Sequence, residues 1–391
     1  MPLFVVVIFA ACLASFGCSE KLTPSPKEYA QVTFDDSIEV LIAEAERGNA
    51  DAQYYLSTKY SGGVGVAKDE KESFKWRRVA AEQGHLHAQT SLGLAYLDGA
   101  GVEMNYQEAI RWFQTAIERG DVEANVYLGR MYADGKGVAE DDENAVSLFR
   151  LAADSGSSLG QFDLGMMYAR GDGVAKNQEE ALRLFEEAAQ DDHPNALFEL
   201  GMMYLEGEII ATDRAHAITL IRQAAKLREP NALEWFQTNA RQGDKDAQFH
   251  LGLLHFTGSG VPQDYEEAAR LFHAAAAKGD MDAQRNLGTM YVDGIGVSQD
   301  YAEGIRWYRE AAQQGSVEAQ FNLGLMYAKG EGVPVDYAEA YMWFLLAGAQ
   351  KDTEAIQAQE MLAAEMTAEQ IADAETRASE WQKERANAVT Q

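Results

Sequence analysis

The residues that could do chemistry in this 391-residue chain are few, and their spacing does not suit catalysis. Seven histidines (His85, His87, His193, His216, His250, His255 and His273) include no His-Glu-x-x-His pair, the spacing that puts two zinc ligands and a base on one helix face. Both cysteines, Cys12 and Cys18, lie in the N-terminal segment. The body therefore has no thiolate nucleophile, disulfide framework or Cys-ligated zinc. Gly135-Lys136-Gly137 lacks the length and the Lys-Ser/Thr ending of a phosphate loop, and no Gly-x-Ser-x-Gly elbow presents a serine. Acidic pairs are many, but nothing in the sequence brings two of them into one cleft for general acid–base work. The residues predict no catalytic group, no metal and no cofactor: a protein that binds rather than reacts.

Charge narrows the partners. The formal net charge is −29, from 62 acidic and 33 basic residues. Such a field repels phosphate backbones and anionic lipid, which excludes nucleic acid and polybasic membrane docking, and it favours cationic partners. Leu3 to Phe16 form an apolar or small run too short to span a bilayer and read as an export signal. Ser15-Phe16-Gly17-Cys18 resembles a lipoprotein signal-peptidase box, although Ser15 stands where Leu is usual and Met1-Pro2 carries no basic residue. The resemblance implies lipidation at Cys18, with Ser19 suiting outer-membrane sorting and a periplasmic body, and makes the lipid the only membrane contact. Leu22-Thr23-Pro24-Ser25-Pro26 reads as an extended tether.

The elements that would position a binding surface follow from internal periodicity. Leu56, Leu92, Leu128, Leu164, Leu200, Leu251, Leu287 and Leu323 recur at intervals of 36, except for one of 51. Gly follows the leucine in seven of the eight copies, and a Gly-x-Gly-Val turn ends the segment in all but the fifth. Ala319, Leu323 and Tyr327, at i, i+4 and i+8, mark one apolar face of a first helix, A. The glycine after the leucine costs roughly 1 kcal/mol of helix propensity, so its recurrence predicts backbones too close for a side chain. Gly-x-Gly ends helix A, Asp264 or Asp300 caps helix B, and Ala109-Ile110-x-Trp112-Phe113-x-x-Ala116 shows helix B's core face. Tyr and Trp at this spacing are core residues; His255 stands in a tyrosine position and reads as a satisfied core or groove histidine.

Ala-x-x-x-Leu-Gly-x-x-Tyr-x-x-Gly-x-Gly-Val, then Ala-x-x-Trp/Leu-Phe/Tyr-x-x-Ala-Ala-x-x-Gly, resembles the Sel-1-like repeat, a relative of the tetratricopeptide repeat, over roughly residues 48–350. The resemblance implies an all-α, right-handed solenoid whose A helices line a concave groove. By that analogy the variable residue before each leucine faces the groove: Tyr55, Ser91, Tyr127, Asp163, Glu199, His250, Asn286 and Asn322. Tyr, His and Asn there suit a protein or peptide partner, and Asp163 with Glu199 would favour a basic segment. The implied function is an interaction scaffold in the bacterial cell envelope. Alternatives are a subunit of an envelope polysaccharide or secretion assembly, or a cell-wall or β-lactam hydrolase. The family's β-lactam-active members carry paired cysteines in their repeats; this chain has none there, so that activity does not carry over.

The expected organisation is a signal at 1–17, a tether at 18–36, a capping helix at 37–48, repeats one to five at 49–229, repeats six to eight at 244–350, and capping helices at 351–391. The 51-residue interval falls between repeats five and six. There Pro230-Asn231-Ala232-Leu233 begins like a helix A, while Trp235-Phe236 and Gly243 follow the spacing of a helix B. One helix where two belong, over 230–243, predicts a kink. Thr367-Ala368-Glu369-Gln370 resembles a capping box opening a last helix.

Overall fold

The computed structural model describes residues 31–389; the expected signal, Cys18 and most of the tether lie outside the described residues. Those described contain twenty helices and no strand. They divide between Asp121 and Val122 into two compact units, each a stack of helical hairpins.

The first unit holds α1 (Ile38–Arg47), α2 (Ala50–Gly62), α3 (Glu70–Glu82), α4 (Leu86–Asp98) and α5 (Tyr106–Glu118). Val32, at the end of the stretch read as tether, is buried with Leu41, Ala45, Ala52 and Leu56. In the second unit the hairpins are α6 (Val122–Ala133) with α7 (Asp142–Asp154), α8 (Ser158–Arg170) with α9 (Gln178–Gln190), and α10 (Pro194–Glu206) with α11 (Arg214–Lys226). After the lone α12 (Pro230–Arg241) come α13 (Lys245–Thr257) with α14 (Tyr265–Ala276), α15 (Met281–Asp293) with α16 (Tyr301–Gln314), and α17 (Val317–Lys329) with α18 (Tyr337–Gly348). Helices α19 (Thr353–Ala363) and α20 (Ala368–Val389) end the chain.

The turn chemistry is the same throughout. Asp264 Oδ1 accepts from Glu267 N at 3.0 Å and opens α14, while its own N–H reaches back to His255 O at 3.0 Å. Asp300 does the same for α16, with Tyr291 O as its backbone partner. One residue thus satisfies an orphan helix donor and ties the turn to helix A. At the far end, Thr367 and Gln370 exchange hydrogen bonds of 2.9 and 3.3 Å, a reciprocal capping box before α20.

Each hairpin's glycine after the leucine has a different cause from the one expected. At Gly93, Gly129, Gly165, Gly252 and Gly324 an added Cβ would fall 2.5–2.7 Å from the Cε1 of a phenylalanine twenty residues later, on helix B of the same repeat. At Gly288 it would meet Tyr308, and at Gly201 it would meet Ile221. A ring at six of the seven glycines, and an isoleucine at Gly201, excludes the side chain, rather than a second helix backbone. The one copy without glycine confirms the pairing: Ser57 stands opposite Arg77 instead of a ring, and Ser73 Oγ donates to Ser57 O at 2.7 Å.

The single helix α12 serves both of its neighbours. Its start copies a helix A, with Pro230 in the first turn and Glu229 as N-cap. Its end copies a helix B: Ala240 O accepts from Gln248 Nε2 at 3.1 Å, as Ala276 O accepts from Gln284 and Ala312 O from Gln320. One apolar cluster runs from Ala181 through Phe236 to Leu271, so the core continues across α12. Stacking nevertheless changes. Gly101, Gly173, Gly296 and Gly332, the second turn glycines of four repeats, lie on the start of an earlier helix B, as Gly296 lies on Tyr265 O. Gly260 instead lies on Ala225 O, at the end of α11, where a Cβ would fall 2.1 Å away.

Candidate interaction surface

All eight residues that precede the anchor leucines are half-buried, neither solvated nor core. Their surroundings differ. Tyr55 has Phe34 edge-on at 6.3 Å and Tyr54 at 5.8 Å. Ser91 and Asn286 stand half-open on their helices. Arg130 lies 6.0 Å from the Tyr127 ring and donates to both carboxylate oxygens of Asp163, Nε to Oδ2 at 2.6 Å and the terminal nitrogen to Oδ1 at 3.3 Å. Asp163 is mostly buried, which raises its pKa against the pull of Arg130. Glu199 is also pushed up by burial, with Arg170 opposing. Asp163 and Glu199 therefore do not form the open anionic pair that a basic segment would seek: Asp163 is already paired by the preceding repeat.

His250 lies near Phe236, with ring centroids 6.1 Å apart, and burial, aided by the charge of Arg222, holds its pKa down to about 4. Its Nδ1 is buried without a partner. Asn322 lines a cavity of about 370 Å³ between α15 and α17, together with Thr289, Tyr308 and Lys329. Thr289 Oγ1 and Tyr308 OH are 2.9 Å apart, and burial raises the Tyr308 pKa although Thr289 and Asn322 hydrogen-bond to it. His255 departs from its expected role: Nδ1 is buried and has no hydrogen-bond partner, so it is not a satisfied core histidine. Among the described residues no group of three or more His, Cys, Asp or Glu is placed to hold a metal, and no helix is long and apolar enough to cross a membrane.

The leucine spacing did not reveal a glutamine ladder three residues before the anchors. Gln53 donates to Ala45 O and Gln89 to Ala81 O in the first unit, matching the three bonds of α13, α15 and α17. Where the residue thirty positions on is also glutamine, the ladder extends. Gln83 reaches Gln53 at 2.6 Å, Gln314 reaches Gln284 at 2.8 Å, and Gln350 reaches Gln320 at 3.0 Å. A 36-residue recurrence of buried glutamine was the available signal.

The Sel1 repeat model matches residues 50–85, 86–121, 122–157, 158–193, 194–228, 245–280, 282–316 and 317–352. The chain belongs to the Sel1 repeat family. Its repeats form the family's all-α solenoid fold; such proteins generally serve as scaffolds for protein interaction, and the family is generally non-catalytic. The model skips 229–244, the segment that contains α12. Among solved structures, the chain is similar to c5321, a protective antigen of uropathogenic Escherichia coli with an SLR fold, at 28% identity over 90% of this chain and 96% of that one, with a TM-score of 0.41. It is also similar to a Sel1 repeat protein from Oxalobacter formigenes, at 28% identity over 87% and 98%, with a TM-score of 0.36. Similarity to the immunity protein Pa5087 of Pseudomonas aeruginosa is 21% identity over 58% and 81%, with a TM-score of 0.39. No curated protein matches the chain.

Proposed function

We propose that this Sel1 repeat chain is an exported scaffold of the bacterial cell envelope, held at the outer membrane by a lipid on Cys18 and binding a protein or peptide through its A helices. The observation that carries the reading is the contrast between core and row. Core positions repeat the same residue types, whereas the residues before the leucines vary in chemistry at half-buried sites. Partner contact at such sites excludes water from groups that are already partly desolvated, and varied polar types give specificity without touching the core. The cavity beside Asn322 offers a place for one anchoring side chain.

The test is affinity capture from envelope fractions with the native chain, repeated with Asn286→Arg and Asn322→Arg. Loss of a defined partner in both variants supports the reading. Unchanged capture removes the A-helix row as the interface. Fractionation of cells expressing Cys18→Ser tests the address, since the variant, without its lipid, should leave the outer membrane.

A further inference from the structure

The exposed face of the B helices follows a rule that five of the eight repeats keep. A glutamate in the first turn pairs with a basic residue three positions on: Glu72–Lys75, Glu108–Arg111, Glu180–Arg183, Glu267–Arg270 and Glu303–Arg306, at 2.6–2.9 Å. Where a tryptophan follows, the cation lies over its ring, at 5.2 Å for Lys75 on Trp76, 4.6 Å for Arg111 on Trp112 and 4.0 Å for Arg306 on Trp307.

Repeats three, five and eight depart from the rule. In repeat five His216 and Thr219 stand at the two places, and His216 packs edge-on against Tyr204, with ring centroids 4.7 Å apart. In repeat eight Met342 replaces the basic residue, and α20 supplies what is missing. Arg377 pairs with Glu339 at 3.3 Å, Trp381 meets Trp343 at 5.8 Å, and Ala374 and Ala378 share one apolar cluster with Leu346. Glu339, Trp343 and Leu346 fall at i, i+4 and i+7, one stripe of α18, so α20 is a helix docked along that stripe. Leu346 is 3% exposed.

Repeat three loses both members of the pair, and no helix docks there among the described residues. Asn144 Nδ2 donates to Asp141 Oδ2 at 2.6 Å, and Ser147 Oγ donates to Glu143 O at 2.9 Å. The stripe of α7 that matches the one under α20 is Asn144, Leu148 and Leu151. At the last of these places only repeats three and eight carry leucine; elsewhere it is Val, Thr, Glu, Gln or Ala. Leu151 is 57% exposed. An exposed leucine alone is ordinary. This one edges a cavity of about 540 Å³ lined also by Val146, Ser147 and, from the following turn, Val174. The long basic side chain of five other repeats stands at the place of Ser147. Glu143 and Asp154 line the same cavity and make no ion pair among the described residues, while Arg150 donates to Tyr168 OH at 2.9 Å. The rim is thus anionic on a chain of net charge −29.

We propose that this face of α7 docks a basic amphipathic helix of a partner protein, with apolar and small residues on Leu151 and Val174 and a lysine or arginine toward Glu143 and Asp154. The docking of α20 on α18 is its template, with Arg377 in the part of the partner's basic residue. This face is separate from the A-helix row, so the two surfaces are lost independently.

Fluorescence anisotropy on the full chain tests this with labelled peptides built on residues 368–389. The basic probe carries Glu375→Lys and Glu384→Lys, on either side of the apolar stripe, which turn its net charge from negative to positive. It should bind saturably, and the native peptide and a scrambled basic peptide about tenfold or more weaker. Leu151→Gln, the residue of repeat five, should weaken the basic probe by about tenfold or more. The double variant Asn144→Glu with Ser147→Arg restores the pair of the other repeats and fills the cavity; it should weaken the probe as much without lowering Tm. No saturable binding, equal binding of the scrambled peptide, or binding unmoved by both variants would overturn the proposal. A native peptide that binds as well as the basic probe would place a second copy's α20 on this face and overturn the basic partner.

Discussion

Gly324→Ala is the sharpest probe of how a repeat is held together. In an ordinary exposed helix interior, the substitution gains about 1 kcal/mol. Here the added Cβ would stand 2.5 Å from Cε1, 2.6 Å from Cδ1 and 3.0 Å from Cζ of Phe344. That ring is 2% exposed and has Phe321 at 5.7 Å, so it has little room to retreat. Overpacking of this kind costs about 1–3 kcal/mol. The expected outcome is a loss of up to about 2 kcal/mol in place of a gain. Phe344→Leu removes the ring edge at its own cost, and in that background Gly324→Ala should recover the ordinary gain, a coupling of about 1–3 kcal/mol. Because stacked repeats open locally, the readout is hydrogen exchange of α17 and α18 amides alongside urea unfolding of the full chain. An equal gain from Gly324→Ala in both backgrounds would refute the ring–glycine account.

Two further outcomes test the turns and caps. Arg228 takes φ 66° at the helix-B closing position where Gly84, Gly156 and Gly279 stand in other repeats. Arg228→Gly should therefore raise stability by about 0.5–1 kcal/mol in urea unfolding, after allowance for glycine's greater unfolded-state freedom. His85 and His193 are N-caps whose Nδ1 accepts from Ala88 N at 3.1 Å and Ala196 N at 3.2 Å, so both must be neutral to cap. Burial lowers both pKa values below 6.5, opposed at His85 by Asp51 and reinforced at His193 by Arg130. Because the folded values lie below the unfolded ones, this stability is full above about pH 6.5 and is lost as pH falls through the folded values. Tm should fall from pH 7 to pH 5, and less steeply in His85→Asn with His193→Asn, since asparagine caps without titrating; identical slopes would count against the capping role.

What the sequence made legible was local or periodic. Anchor leucines, turn glycines and capping aspartates are each fixed by contacts within one hairpin, and the 36-residue recurrence amplifies them. What it hid depends on contacts between hairpins. Asp163 looked like an open carboxylate because nothing in its own repeat pairs with it; its partner, Arg130, is thirty-three residues earlier on the preceding helix A. His255 looked satisfied because it stands in a tyrosine position; at two other copies, Tyr168 and Tyr327, an arginine eighteen residues earlier reaches the hydroxyl, and Gln237 stands at that place here. The glycine after each leucine was rightly singled out, but its cause was misread, because helical spacing marks a close approach and does not say what approaches.

Repetition also separates departures that are offset from those that are not. Ser57 breaks the glycine rule, and Arg77 breaks the ring rule at the position that faces it, so the added Cβ arrives where the ring is absent. Selection for packing alone explains that pair. Gln237 and His255 mark no such paired exchange, because the arginine–tyrosine bridge of Arg150–Tyr168 and Arg309–Tyr327 is itself confined to two repeats, and Gln114, Glu186 and His273 stand at the same helix-B place elsewhere. A departure is informative only where the remaining copies hold the rule it breaks.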